Sequence, residues 1–166
     1  MSDEIVTVNE SPFDFDGVWK MFIEYFWPEI LRVCVPSLYE AADIKRKAEF
    51  LDKEMSEISE QLDGTDGSSK RYVDSLLKIY LKDGSEEWVL FHVEVQGKGG
   101  ERISLRMFRY SCLIFLRYNK HPSALAILTA KRPKKEGEPA EYSYDVFGTP
   151  LKYRYPTLRT CKLSHG

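Results

Sequence analysis

The stretch from Arg71 to Gln96, RYVDSLLKIYLKDGSEEWVLFHVEVQ, decides the fold of this chain. The odd positions from 73 to 81 are apolar except at Ser75, and the odd positions from 89 to 95 are apolar without exception. This alternation, rich in β-branched residues, predicts two strands that each bury one face. Asp83-Gly84 lies between them and is typical of a hairpin turn.

The length of that turn determines which side chains share a face. A two-residue loop would pair odd positions with even ones and would put Asp74 and Glu94 on opposite faces. A three-residue loop, Lys82-Asp83-Gly84 with glycine in the left-handed position, pairs odd with odd. Burial of one continuous face favours the three-residue loop, or a bulge with the same effect on parity. We therefore predict that Asp74 shares a face with His92, Glu94 and Gln96.

The predicted shared face carries the chemistry of a metal site. Residues two apart on a strand lie roughly 6–7 Å apart on one side, so Glu94 and Gln96 can flank one small site. Asp74 would reach it from the neighbouring strand. Two carboxylates with backbone carbonyls and water are ligands that suit Mg²⁺ or Mn²⁺. Such an ion polarises a phosphodiester and lowers the pKa of an attacking water, which indicates a nuclease.

The order of several segments resembles one family within the PD-(D/E)XK nuclease superfamily. Asp74 followed by a strand that ends in Glu94-Val95-Gln96 resembles the metal motif of the Rpn family of recombination-promoting nucleases, also described as putative transposases. Further segments resemble that family in its order, from about residue 13 to residue 158: FLDKEMSEI at 50–58, RMFRYSCLIFLRY at 106–118 and SALAILTA at 123–130.

The resemblance implies a fold and a set of active residues. The fold is α/β (α+β), a restriction-endonuclease-like mixed sheet flanked by helices in an αβββαβ order, preceded by an N-terminal helical segment. Asp74, Glu94 and Gln96 would be catalytic, with Asp74 and Glu94 as metal ligands. Gln96 stands where the superfamily has a lysine and can orient groups only by hydrogen bonds, so Lys98 is a candidate replacement cation.

A third metal ligand is expected from the first core helix, because relatives in the superfamily often place a glutamate there. Glu54 is the candidate, with Glu49 behind it. The alternative is that both acids belong to a solvated helix face.

The helix predicted after the hairpin carries an arginine stripe. Arg102, Arg106 and Arg109 recur at helical spacings of four and three. Arginine suits phosphate contacts, so the stripe can face DNA. Pairing with surface acids is the alternative, and Arg106 is the preferred phosphate ligand.

The flanking sequence predicts one domain over residues 13–160, with a mobile N-terminus at 1–12 and a tail at 161–166. We expect a helix from Asp16 to Phe26 with Val18, Phe22, Tyr25 and Phe26 on one stripe, and a second helix that starts at Pro28. Other predicted elements are a short helix to residue 42, helices over 46–60 and 101–118, a strand over 123–129, and a hairpin formed by 142–147 and 151–155. The aromatic residues of segment 13–27 are expected to form core or a homodimer contact rather than a base-stacking surface.

Composition limits the class of protein without fixing it. The net charge of −2 is less basic than a nucleic-acid-binding chain usually is, although a local basic strip could suffice. Three widely spaced cysteines indicate reduced thiols and a cytoplasmic location. No apolar run of membrane-spanning length occurs in the sequence, so no membrane partner is expected.

These features lead to two functional hypotheses. The first is a Mg²⁺- or Mn²⁺-dependent DNA endonuclease associated with recombination or transposition. The second is a catalytically inactive module that keeps the nuclease fold and binds nucleic acid or protein.

Overall fold

The structure, a computed structural model, describes residues 15–63, 72–94, 103–128 and 140–159. These residues form α1 (Phe15–Cys34), α2 (Pro36–Ala41), β1 (Glu49–Phe50), α3 (Asp52–Asp63), β2 (Tyr72–Tyr80), β3 (Glu86–Glu94), α4 (Ile103–Tyr118), β4 (Ser123–Leu128), β5 (Glu141–Val146), β6 (Thr149–Arg154) and β7 (Thr157–Arg159). The predicted mobile segment 1–12 and the predicted tail 161–166 lie outside the described residues. Among the described helices, none is both long and apolar enough to cross a membrane.

The hairpin of β2 and β3 has the predicted three-residue loop. The Leu81 amide donates to the Ser85 carbonyl at 2.8 Å, and the Gly84 amide donates to the Leu81 carbonyl at 3.0 Å. Gly84 has a φ of +87°, the left-handed conformation that glycine adopts without strain. Odd residues therefore pair with odd ones and even with even, so that Asp74 lies opposite His92.

The main sheet has the strand order β1-β2-β3-β4-β7. β1, β2 and β3 are antiparallel neighbours, whereas β4 runs parallel to β3 and β7 runs parallel to β4. α4 connects β3 to β4, which is the strand–helix–strand crossover that the sequence predicts. The fold class, a mixed sheet flanked by helices, is thereby confirmed. β7 was not predicted, because three residues are too few to show a periodic pattern.

Helices cover both faces of this sheet. α1 packs on the face formed by odd positions of β2 and β3, in a cluster that includes Ile23, Trp27, Leu77 and Phe91. α3 and α4 pack on the opposite face, in a cluster that includes Ile58, Leu76, Leu90 and Tyr110. The even face therefore contains both an apolar core and Asp74.

α1 corrects the prediction of two helices separated at Pro28. The helix continues through Pro28 to Cys34. Its buried stripe, Ile23, Trp27, Ile30 and Leu31, lies on both sides of the proline. Burial of these large side chains outweighs the roughly 3 kcal/mol that an interior proline costs. The four residues predicted to share one stripe are all 39–71% exposed, so this stripe lies on the outer face of α1: Val18, Phe22, Tyr25 and Phe26.

The segment predicted as one helix over residues 46–60 contains two elements. Glu49–Phe50 pair with β2 as the edge strand β1, and α3 begins only at Asp52. Met55 and Ile58 are buried, as the sequence predicts. The Leu51 amide donates to the Leu76 carbonyl at 2.8 Å, so a tertiary contact with β2 determines where the helix begins.

β5 and β6 form a separate two-stranded hairpin, as predicted, with the turn one residue earlier than expected. The turn residues are Phe147 and Gly148, both with positive φ, at +48° and +78°. The base of this hairpin packs on α4, where the rings of Tyr142 and Tyr153 lie 5.1 and 5.7 Å from the ring of Phe108.

Candidate functional site

Asp74 is the centre of a polar cluster between the main sheet and α4. Its side chain is 8% exposed. One carboxylate oxygen forms a hydrogen bond with Nδ1 of His92, its direct partner across the β2–β3 ladder. The other oxygen accepts a hydrogen bond from the Tyr110 hydroxyl at 2.6 Å and lies 3.5 Å from Nη2 of Arg106. Asp74 is thus held by three side chains from two elements.

α4 supplies two of these partners because its residues four apart lie on one face. Arg106 donates from Nη2 to the Tyr110 hydroxyl at 2.7 Å. That hydroxyl in turn donates to Asp74 and lies 3.4 Å from Oγ of Ser59 on α3. The Tyr110 hydroxyl therefore links α3, α4 and β2 at one point.

The cluster keeps Asp74 ionised. Burial alone would raise the pKa of its carboxyl group. Its pairing with His92, by charge and by hydrogen bond, acts in the opposite direction, together with the charge of Arg106 and the Tyr110 hydrogen bond. Their combined effect holds the pKa of Asp74 below its ordinary value. Asp74 is consequently a carboxylate at neutral pH.

Tyr110 stays a hydrogen-bond donor under the same conditions. Burial of the phenol and the negative charge of Asp74 both raise the pKa of Tyr110 far above its ordinary value. The hydroxyl therefore keeps its proton and can donate a hydrogen bond to the carboxylate at any pH that the protein encounters.

Glu94 lies on the same face of the sheet as Asp74. Its Cα is paired with that of Tyr72, two residues before Asp74, in the register that also pairs Asp74 with His92. Diagonal neighbours of this kind have Cα atoms about 7–8 Å apart. The Glu94 side chain is outside the described part of the chain, as are Gln96, Lys98 and Arg102.

Arg106 and Arg109 do not form one exposed stripe. Arg106 is 2% exposed and directed at Asp74, whereas Arg109 is exposed. The carboxylate that Arg106 contacts is Asp74, a buried acid of β2 and not an acid of the surface. The position of Arg106 makes it a partner of Asp74 rather than a free ligand for phosphate.

Glu54 lies on the first turn of α3, five residues, or about 7.5 Å along the helix axis, before Ser59. Burial raises the pKa of the Tyr118 hydroxyl; the charges of Glu57 and Glu54 act in the same direction, and the charge of Arg117 acts in the opposite one. The Tyr118 ring packs on Trp88 at 5.0 Å, and Trp88 is four residues, or about 13 Å, along β3 from His92. The α3 residue beside the cluster is Ser59. Glu49, the second acid considered, pairs with Lys78 at 2.9 Å on the edge of the sheet.

The acidic side chains of the cluster are the candidate ligands for a divalent cation. Within the described residues, no group of three or more histidine, cysteine or acidic side chains could hold a metal ion. Asp74 is an ionised hard-oxygen donor of the kind that Mg²⁺ prefers, and Glu94 is placed by the backbone to be a second. The chemistry of these two acids fits the ion, with Arg106 as a competing positive charge.

His92, Tyr110 and Ser59 were not among the predicted site residues. Parity already placed His92 on the face of Asp74, but no role in the site was assigned to it. Tyr110 follows Arg106 by four residues, which is the helical spacing of a shared face. Ser59 gave no signal, because its contact depends on how α3 packs against α4.

Comparison of the chain with protein-family models, with curated proteins and with solved structures gives no significant match. Any inference about function therefore depends on the residues of this chain.

Proposed function

We propose that this protein is a metal-dependent endonuclease that hydrolyses DNA phosphodiester bonds in recombination or transposition. The observation that carries the proposal is the position of Asp74, an ionised carboxylate on the same face of the β2–β3 hairpin as Glu94. A buried carboxylate close to a second acid is energetically costly. Such arrangements of titratable groups cluster at functional sites.

The arrangement of elements supports the same proposal. Antiparallel β2 and β3, the α4 crossover and parallel β4 follow one another as in the restriction-endonuclease-like core that the sequence resembles. We propose that the main sheet is such a core. Its acids would then lie where β2 and β3 present their even-numbered side chains beside the N-terminal part of α4.

Each residue of the site has a distinct role in the proposed reaction. Asp74 and Glu94 would hold Mg²⁺ or Mn²⁺, which when bound polarises the phosphodiester and lowers the pKa of water. His92 and Tyr110 fix the carboxylate of Asp74 in position. Gln96 would orient the attacking water by hydrogen bonds.

Contacts with the phosphate backbone would fall to residues other than Arg106. Arg106 is buried and balances the charge of Asp74. Arg109 is exposed one helical turn further along α4 and can reach a bound strand. Lys98 and Arg102 are the remaining candidates, since they lie between Glu94 and α4 in the sequence.

Cleavage of supercoiled plasmid DNA tests the proposal. Native protein with Mg²⁺ or Mn²⁺ should convert the plasmid to open circles, and chelation of the metal should stop it. Asp74→Asn and Glu94→Gln should each abolish nicking, whereas Glu54→Gln should retain it. Nicking that survives in both acid variants would contradict the site. A parallel reaction with single-stranded RNA determines which nucleic acid is the substrate.

The second candidate function is a catalytically inactive binding module. It is favoured by the fact that both oxygens of Asp74 already have protein partners and that Arg106 already supplies a positive charge. Such a cluster can stabilise the fold without a metal. Absence of nicking by folded native protein that still binds DNA would support this function.

A further inference from the structure

Arg106 places a permanent positive charge in the core of the protein, next to Asp74. The residue is 2% exposed, and its Nη2 lies 3.5 Å from Oδ2 of Asp74. The same nitrogen donates a hydrogen bond to the Tyr110 hydroxyl at 2.7 Å. Because a guanidinium keeps its proton in proteins, burial cannot make it neutral. The attraction to Asp74 offsets part of the cost of burying this charge.

The contact between Arg106 and Asp74 is one of charge more than of hydrogen bonding. Oδ1 of Asp74 is bonded to His92, and Oδ2 accepts a hydrogen bond from Tyr110 at 2.6 Å. The Arg106 nitrogen is farther from Oδ2, at 3.5 Å, where a hydrogen bond is weak and an electrostatic attraction is still strong. A carboxylate oxygen has two lone-pair sites. Oδ2 can therefore take a further ligand while the guanidinium stays beside it.

The charge of Arg106 affects how tightly such a ligand binds if the ligand is a cation. A divalent ion held by Asp74 would be close to the guanidinium, and like charges a few ångströms apart repel strongly in a protein interior. The side chain that balances Asp74 would thus also oppose the ion. Glu94, on the same face of the sheet, would attract the ion. The affinity of the site would then depend on the balance of these three charges.

We propose that Arg106 sets the affinity of this site for divalent metal, because its guanidinium balances Asp74 and opposes the ion. This inference rests on the proposed function, in which Asp74 holds the metal. Arg106 is then a positioning residue that acts through Asp74, and is neither a ligand of the ion nor a contact of the phosphate. If Arg106 only filled the core, its removal would weaken metal binding together with the fold.

Calorimetric titration with Mn²⁺ separates these two roles. Arg106→Gln removes the charge but keeps an N–H donor for Tyr110, and it should bind Mn²⁺ at least about tenfold more tightly than the native protein. Arg106→Lys keeps the charge and should stay close to the native affinity. Arg117→Gln removes a half-exposed arginine about three turns further along α4. It is the matched control and should leave the affinity unchanged.

Thermal unfolding with and without the ion tests the same balance of charge through stability. In the presence of a chelator, Arg106→Gln should be less stable than the native protein, since the burial of Asp74 is less well compensated. Saturating Mn²⁺ should raise the melting temperature of Arg106→Gln by more than that of the native protein, because a tighter ligand stabilises the folded state more. The double variant Asp74→Asn, Arg106→Gln should show no such gain. Arg106→Gln that stays unfolded both with and without Mn²⁺ would overturn the proposal, since an ion on Asp74 should compensate the same carboxylate.

The Mn²⁺ affinities of the native protein and Arg106→Gln also distinguish this inference from the nuclease proposal. Equal or weaker binding by Arg106→Gln, with loss of binding in Asp74→Asn, would overturn the role of Arg106 and leave the metal site intact. Absence of binding by both the native protein and Arg106→Gln would overturn both proposals. Binding by Arg106→Gln but not by the native protein would support the role of Arg106, and would at the same time favour the catalytically inactive module.

Discussion

At the scale of single residues, Asp74 shows how a buried charge can be kept ionised. Its carboxylate has partners from β3 and from two successive turns of α4, and none of these contacts involves a neighbour in sequence. Each partner removes part of the cost of burial, which for an isolated carboxylate would exceed the stability of the domain. The same contacts fix the direction of the carboxylate, which a metal ligand also needs.

Replacing Asp74 by asparagine should destabilise the protein by about 3–5 kcal/mol, because buried Arg106 would lose its ion pair with Asp74. Chemical denaturation at pH 7 measures this change. Glu60→Gln, at an exposed position on α3, is the matched control and should change stability by less than about 0.5 kcal/mol. An equally small effect of Asp74→Asn would contradict the charge balance described above.

The pH dependence of stability should also depend on Asp74. Because the pKa of Asp74 is lower in the folded protein than in the unfolded chain, its contribution is present above its unfolded value of about 3.9. This contribution is lost as the pH falls from that value through the lowered folded pKa. Native protein should therefore lose stability more steeply than Asp74→Asn below about pH 5. If the stability of the native protein and that of Asp74→Asn fell equally steeply with pH, a lowered pKa of Asp74 would be contradicted.

Tyr110→Phe isolates the contribution of one hydroxyl. The ring remains packed in the core, while Asp74 loses a donor and Arg106 loses an acceptor. We expect a loss of about 1–3 kcal/mol in the free energy of unfolding. Tyr144→Phe removes a hydroxyl from a half-exposed ring and should be nearly neutral. Additive effects of Tyr110→Phe and Asp74→Asn would contradict a direct contact between the two side chains.

At the scale of elements, prediction from sequence succeeded where a pattern has one physical solution. The β2–β3 hairpin was predicted together with its loop length, because only odd-with-odd pairing buries one continuous face. The predictions failed where tertiary contacts, which the sequence pattern does not show, decide the structure. α1 was divided at Pro28, since a local helix cost was visible in the sequence and the compensating burial against the sheet was not. The stripe of Val18, Phe22, Tyr25 and Phe26 could not be assigned to the core or to the surface from the sequence, because both faces of α1 are apolar.

The candidate site was predictable in part for the same reason. Parity brought Asp74, His92 and the backbone of Glu94 to one face, as the hairpin required. The partners from α3 and α4 depend on how the helices pack across the sheet, which no periodicity reports. Arg106 was therefore predicted to contact phosphate or surface acids, and its contact with Asp74 was not foreseen.

Gly84→Ala tests the loop that fixes this parity. A Cβ at Gly84 would meet no atom within 4 Å, so the cost comes from the positive φ alone. We expect Gly84→Ala to lower the free energy of unfolding by about 1 kcal/mol, as measured by urea denaturation. Gly84→Asn should cost less, because asparagine tolerates the left-handed conformation. Equal stability of Gly84→Ala and the native protein would contradict the conformation of this loop.

In the β5–β6 turn, a substitution at a residue with positive φ should stabilise the protein. Phe147 has a φ of +48° and is fully exposed, a combination that costs strain and gains no burial. Phe147→Asn should stabilise the protein by about 1 kcal/mol, because asparagine before Gly148 suits a two-residue hairpin turn. Thermal unfolding measures the gain. A lower melting temperature would mean that the phenyl ring packs on a surface of this chain.

At the scale of the whole molecule, the two faces of the sheet have different roles. The α3–α4 side holds the polar cluster around Asp74, and the α1 side ends in an exposed apolar surface. A net charge of −2 is compatible with the proposed DNA cleavage, since only the side that holds Asp74 would need local positive charge.

Calorimetric titration with Mn²⁺ in the absence of DNA tests the central claim, that Asp74 and Glu94 hold one ion together. Native protein should bind one ion. Asp74→Asn and Glu94→Gln should each weaken binding by at least about tenfold, or 1.4 kcal/mol. Glu60→Gln, which changes an exposed acid on α3, should leave binding unchanged. Binding that is unaffected by both Asp74→Asn and Glu94→Gln would contradict the account.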